Sequence, residues 1–133
     1  MKFVPETLAG ANMIARFDNG AAGSGAGARL WVGSAPYDGS VLVPWAGEVS
    51  PWPVATFGEL SEADFERMAA FDPELVIFGS GARMRFAPPA LLRPLAGKGI
   101  GIECMDTAAA CRTYNVLVSE RRRVLAALLL GVG

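Results

Sequence analysis

Residues 99–130, GIGIECMDTAAACRTYNVLVSERRRVLAALLL, decide the fold. Gly99 to Glu103 is a short glycine-opened apolar run of strand length, and Asp106 or Thr107 is the residue type that caps a helix start. That helix is predicted to run to about Val118. Ser119 then caps a second helix, Glu120 to Leu130, which Gly131 ends. Upstream, Leu75 to Phe78 is an unbroken apolar run suited to a strand buried on both faces, closed by Gly79-Ser80-Gly81. Between the two strands, Pro88 to Leu95 reads as a short helix with a proline start. Strand, helix and strand in that order demand a parallel pair joined by a right-handed crossover. The expectation is that Leu75–Phe78 and Ile100–Ile102 lie side by side, covered by the helices that begin near Thr107 and Ser119.

The first half of the chain reads as β-rich. Runs at Met13–Phe17, Arg29–Val32 and Val41–Val43 are separated by turn chemistry, and Asn19-Gly20 and Asp38-Gly39 are hairpin dipeptides. Residues 19–27 hold Gly20, Gly23, Gly25 and Gly27, without the Gly-Lys-Ser/Thr ending of a phosphate loop, so a hairpin loop is expected there. PWAGEVSPWP, residues 44–53, places Trp45 and Trp52 among prolines that forbid a central strand. Ser61 precedes EADFERMAAF with Asp64 in the capping-box position, and Phe65, Met68 and Ala69 recur at helical spacing before Pro73. A core-facing amphipathic helix follows from that pattern.

Composition narrows the function. The chain has 133 residues, a net charge of −1, 52% apolar and 19% charged residues. It is one domain's worth of sequence, residues 1–133, too apolar to be disordered and without the positive field that attracts nucleic acid. The longest apolar run, Val124–Leu130, is far short of the roughly 20 residues that span a bilayer, and MKFVPETLAG lacks the apolar stretch of a signal peptide. A soluble cytoplasmic protein with no transmembrane segment is expected. There is no histidine, which removes the usual general base and the commonest metal ligand. Cys104 and Cys111 match neither a zinc site nor a C-x-x-C motif; they read as small buried thiols or, in the alternative, as thiols made reactive by a helix N-terminus. No metal and no cofactor is expected.

The C-terminal signature resembles that of a family of small uncharacterised bacterial and archaeal proteins with the Mth938-like fold, whose mitochondrial relatives are complex I assembly factors. The residues that carry the likeness are Gly99, Glu103, Met105, Thr107 and Arg112 to Asn115, continued by Glu120, Arg123, Val124 and Ala126 to Leu128. Val76 to Gly81 is a second anchor. The resemblance implies an α/β fold in three layers, a central mixed β-sheet with flanking helices and an additional β layer. It implies a non-catalytic assembly-factor-like role with a protein partner, and it brings no catalytic residue; a monomer or homodimer is expected.

One constellation invites chemistry. If the two strands are parallel, the loops after them open at one sheet edge, where α/β sheets tend to hold ligands. The candidate binding groups are Gly79, Ser80, Gly81, Arg83, Arg85 and Thr107, with Arg112 and Asn115, three apart on the following helix, lining the same cleft as an anion pocket. This gives the alternative function, a small-anion or metabolite binder, or a minor enzyme. Bracing is the competing reading: Thr107 as an ordinary cap, Arg112 paired with Glu103 or Asp106. Glu103 and Asp106 also admit an acid–base pair, and Arg121 to Arg123 a solvated face or a patch for an acidic partner. Among Phe86, Trp45 and Trp52, all in irregular segments, at least one is expected to remain exposed as a partner anchor.

Overall fold

The computed structural model describes residues 10–24 and 26–131. The leader reading of MKFVPETLAG, apart from Gly10, and the Gly25 position in the glycine-rich loop lie outside the described residues. Strands β1 (Ile14–Asp18), β2 (Arg29–Val32) and β3 (Ala35–Tyr37) form an antiparallel three-stranded sheet in that order. A five-stranded mixed sheet is built from β4 (Val41–Pro44), β5 (Ser50–Pro51), β6 (Leu75–Gly79), β7 (Gly101–Met105) and β8 (Val124–Leu128), in the order β5-β4-β8-β6-β7. The helices are α1 (Glu62–Ala70), α2 (Arg93–Ala96) and α3 (Thr107–Ser119).

Period-2 alternation makes the larger sheet the middle layer. Val43, Leu75, Ile77, Val124, Ala126 and Leu128 pack on one side with α3 and the smaller sheet. Leu42, Val76, Phe78, Leu125, Ala127 and Leu129 pack on the other, with Phe65 and Met68 of α1 and Leu95 of α2. The expected α/β architecture with its additional β layer is present. The parallel pair is present too, with Leu75 opposite Gly101 and Phe78 opposite Cys104 in an unbroken register.

The predicted final helix is not. Val124–Leu128 is a strand between β4, antiparallel to it, and β6, parallel to it. Its residues are all buried, so both faces are covered by core, which a helix cannot achieve with one apolar stripe; burial overrides the helix propensity of alanine and leucine. Ser119 therefore caps nothing that follows. It ends α3 by donating to Val116 O at 2.6 Å, and Arg121 turns the chain with φ 63°. Arg121 to Arg123 thus lie in a turn, and Glu74 accepts from Arg123 N at 2.8 Å and faces Arg122 at 3.5 Å.

Three smaller expectations also change. β7 is an edge strand whose residues are exposed or half-buried, not covered on both faces like β6. Asp38-Gly39 joins strands of different sheets, so it closes no hairpin; the β2–β3 hairpin turns at Gly33-Ser34. Asp106, rather than Thr107, is the cap of α3, accepting from Ala109 N at 2.9 Å. The Ser61–Asp64 capping box forms as read, and Trp52 is buried with its indole N–H donating to Asp64 at 3.0 Å.

The layers are held in place by α3. Asn115, buried, accepts from Ile14 N at 2.9 Å and donates to Ile14 O at 2.7 Å. The Tyr114 hydroxyl lies 2.8 Å from Asn12 O and 2.9 Å from Pro44 O, either of which takes its one proton. Replacing Asn115 by Leu orphans a buried N–H and C=O together and is expected to lower stability by about 2–3 kcal/mol, against about 1 kcal/mol for Tyr114→Phe. Urea unfolding followed by circular dichroism checks the order; equal losses would mean that Asn115 is not the stronger tie.

Candidate functional site

β6, β7 and β8 point the same way, and their carboxyl ends come together as the parallel topology requires. Gly79, Ser80, Gly81 and Thr107 meet there. Gly79 O accepts from Leu129 N, Ser80 N donates to Met105 O, and Thr107 N donates to Gly81 O, each at 2.9 Å. The Thr107 hydroxyl accepts from Gly81 N and donates to Leu129 O, both at 2.9 Å. Side-chain volume is excluded as well: a Cβ on Gly79 would stand 3.0 Å from Thr107 Cα and Oγ1, and Gly81 has φ +99°. Only glycine suits both positions without strain.

These bonds decide what the edge can do. Ser80 is buried; its hydroxyl accepts from Arg85 N at 2.9 Å and is 2.7 Å from Arg83 O and 3.1 Å from Met105 O, either of which takes its one proton. Thr107, also buried, is engaged in the same way. The two hydroxyls brace the loop after β6 against the start of α3 and the end of β8, and neither has a proton or lone pair aimed at solvent. Arg83 is exposed, while the Arg85 guanidinium lies over the Phe57 ring at 5.2 Å from its centroid.

Arg112 and Asn115 do share a helix face, as their spacing requires, but that face looks at β1. They line a cleft of about 330 Å³ with Arg16, Phe17 and Cys111. Both Asn115 polar groups are engaged by Ile14, and Arg112 is exposed. The predicted site residues are thus divided between two places, the carboxyl edge and the α3–β1 cleft. Among the described residues, ion pairs join Arg122 to Glu74 and Arg123 to Asp72, and Arg112 forms none with Glu103 or Asp106.

The thiols are not activated. Burial pushes Cys111 up to about 12 from its ordinary 9.0, Arg112 opposing only in part, and burial also raises Cys104. Among the described residues, no cluster of three cysteine or acidic side chains could hold a metal ion, and no helix is long and apolar enough to cross a membrane.

Sequence reading missed a second groove, of about 570 Å³, where Phe86, Ala87, Pro89 and Leu92 face Ile102, Glu103 and Cys104 of β7. Phe86 is 75% exposed and Met84 43%. Trp45 is half-buried, so the expectation of at least one exposed aromatic among the three holds, with Phe86 the most open. The signal was available in Arg83-Met84-Arg85-Phe86; its position beside an edge strand was not.

Thr107→Val keeps the volume and orphans Leu129 O and Gly81 N, and is expected to cost about 1–3 kcal/mol in urea unfolding. The Cys111 thiol gives a pH dependence. Its folded value exceeds its unfolded one, so its contribution is complete below about 9 and is lost as pH rises through about 12. Stability should therefore fall in alkali, less steeply in Cys111→Ala, when urea midpoints at neutral and alkaline pH are compared; identical slopes would remove the thiol as a cause.

A protein-family model described as "Protein of unknown function (DUF498/DUF598)" matches residues 24–129. NADH dehydrogenase [ubiquinone] 1 alpha subcomplex assembly factor 3 of Xenopus tropicalis is 35% identical over 80 residues, 59% of this chain and 44% of that protein. The chain therefore spans less than half the length of that relative. A crystal structure of a Bordetella parapertussis protein superposes with a TM-score of 0.80 at 32% identity, covering 94% of this chain and 98% of the other. The solution structure of a Bordetella pertussis protein described as a Mth938-like domain has a TM-score of 0.77 at 27% identity, covering 100% and 95%. With a matching model over most of its length and the three-layer fold in common, the chain belongs to the DUF498/DUF598 family of proteins of unknown function.

Proposed function

We propose that this chain is a non-catalytic interaction protein that serves the assembly of a respiratory NADH dehydrogenase from the cytoplasmic side, docking a protein partner on the surface around Met84 and Phe86. The observation that carries this reading is the exposure of Phe86 and Met84 beside an apolar groove, in a loop whose backbone is pinned by Ser80. Large exposed apolar side chains on a rigid frame, rimmed by arginine, have the composition of an interface centre. The named role of the assembly factor relatives supports the choice of partner. The chemistry supports non-catalysis: there is no histidine, both thiols are raised by burial, and both hydroxyls at the carboxyl edge are buried and engaged by the backbone.

Anion binding at the sheet edge has weaker support. Its predicted residues fall in two places, and the polar side chains among them, apart from Arg83 and Arg112, are engaged within the fold.

The test is co-purification from the source organism. The tagged chain should bring down NADH dehydrogenase subunits, and Phe86→Ser should reduce that recovery by about 2 kcal/mol of binding, roughly thirtyfold, while the melting temperature stays within a degree or two. Recovery that is indifferent to Phe86→Ser and Met84→Ser removes the docking surface. A deletion strain with normal NADH dehydrogenase content removes the assembly role.

A further inference from the structure

The five-stranded sheet ends in two edges of different character. At one end β5 is two residues long and contains Pro51, which gives another strand little to pair with. At the other end β7 has five residues, no proline and no bulge against β6. Among the described residues, the backbone groups of Gly101 to Cys104 make no hydrogen bonds outside that pairing, and Met105 O is met by Ser80 N and by the Ser80 hydroxyl beyond it. An edge strand of this kind presents a row of free donors and acceptors. Alternate side chains sort its two faces. Ile102, Glu103 and Cys104 all border the groove with Phe86, Pro89 and Leu92, but Ile102 and Cys104 pack on the α1–α2 side of the sheet, whereas Glu103, exposed at the centre of the strand, alternates with them toward the side on which Met105 packs.

We infer that β7 is an acceptor edge at which an extended segment of the partner protein adds as a sixth strand, with apolar residues against the groove and a lysine or arginine opposite Glu103. This rests on the proposed role as a protein-binding chain and specifies how the partner is held. Main-chain hydrogen bonds supply affinity in strand addition, and the pockets for alternate side chains supply specificity. The charge selects the occupant. A second copy adding antiparallel through the middle of β7 would place Glu103 opposite Glu103, which is unfavourable, while a basic residue there is favourable. The groove beside the strand, which Phe86 helps to line, takes the apolar residues that flank that basic one. The sought segment therefore alternates apolar, basic, apolar.

The probe is a fluorescein-labelled, acetylated heptapeptide, Ser-Thr-Val-Lys-Val-Thr-Ser, with a twin in which Glu replaces Lys and a third form N-methylated at alternate amides. Binding is read by anisotropy and by amide NMR shifts of the full chain. The lysine peptide should shift the amides of Gly101 to Met105 and bind about fivefold more tightly than its glutamate twin. N-methylation should weaken it about tenfold. In Glu103→Lys the preference should reverse; should that variant not fold, Glu103→Gln should erase it. Shifts absent from β7, affinity indifferent to N-methylation, or a wild-type chain that dimerises through β7 would overturn strand addition. Partner recovery that still depends on Phe86 would in that event leave the protein-binding role standing, and recovery lost from both would end the two together.

Discussion

The carboxamide of Asn115 is the contact on which the layering depends. Among the described residues the smaller sheet shares no ladder with the larger one; the chain ahead of β1 is tied to the end of β4 by the bridge of Ala11 with Ala46, by the bond from Asn12 N to Trp45 O and by the Asn12 carboxamide, which donates to Pro44 O and Gly47 O. β1 must therefore bury its outer edge at Ile14 without a neighbouring strand, and an unpaired buried peptide is costly. Asn115 supplies one donor and one acceptor in the spacing of a strand residue, so a helix side chain completes the edge. Tyr114, one residue earlier, extends the same link to Pro44 of β4. Adjacent residues of α3 thus fasten both sheets to one helix, which explains why polar groups lie inside an otherwise apolar cluster.

That arrangement constrains the rest of the core. With α3 on one side and α1 and α2 on the other, the central strand must be apolar on both faces, and Val124–Leu128 satisfies this without alternation. The same lack of alternation hides it in the sequence. A run of valine, leucine and alanine has no period to distinguish a buried strand from a buried helix, and alanine and leucine favour the helix. Leu75–Phe78 was legible because valine, isoleucine and phenylalanine favour strands and a glycine pair closes the run. Ala35–Tyr37 and Ser50–Pro51 escaped notice for another reason: both contain a proline at a sheet position that only an edge tolerates. Local signals with a short-range mechanism, such as the Ser61–Asp64 box, could be read directly.

The candidate site was legible in part. The spacing of Arg112 and Asn115 correctly put them on one helix face, and the carboxyl edge correctly gathered Gly79, Ser80, Gly81 and Thr107. Spacing along one element does not say which neighbour that face meets, and here β1 intervenes. Thr107 is a further case. Asp106 occupies the cap, which leaves the threonine hydroxyl free to bind two backbone groups from distant segments. Nothing in the local sequence specifies that division of labour, because the acceptor, Leu129 O, lies 22 residues away.

The chemistry at the surface supports the proposed binding role. A catalytic group needs a titratable or nucleophilic atom that is both accessible and tuned. In this fold burial raises Cys111 and Tyr114, both buried, and the half-buried Cys104, the bond from Arg123 N lowers the exposed Glu74, and the hydroxyls at the sheet's carboxyl edge are engaged by the backbone they brace. The exposed groups are of a different kind: an aromatic, a methionine, several arginines and an unpaired strand edge with one carboxylate at its centre. Bracing and exposure are linked, since the hydrogen bonds that remove Ser80 and Thr107 from chemistry also fix the loop that presents Phe86. A rigid loop loses less entropy on binding than a mobile one, so the same bonds that brace the edge favour recognition there.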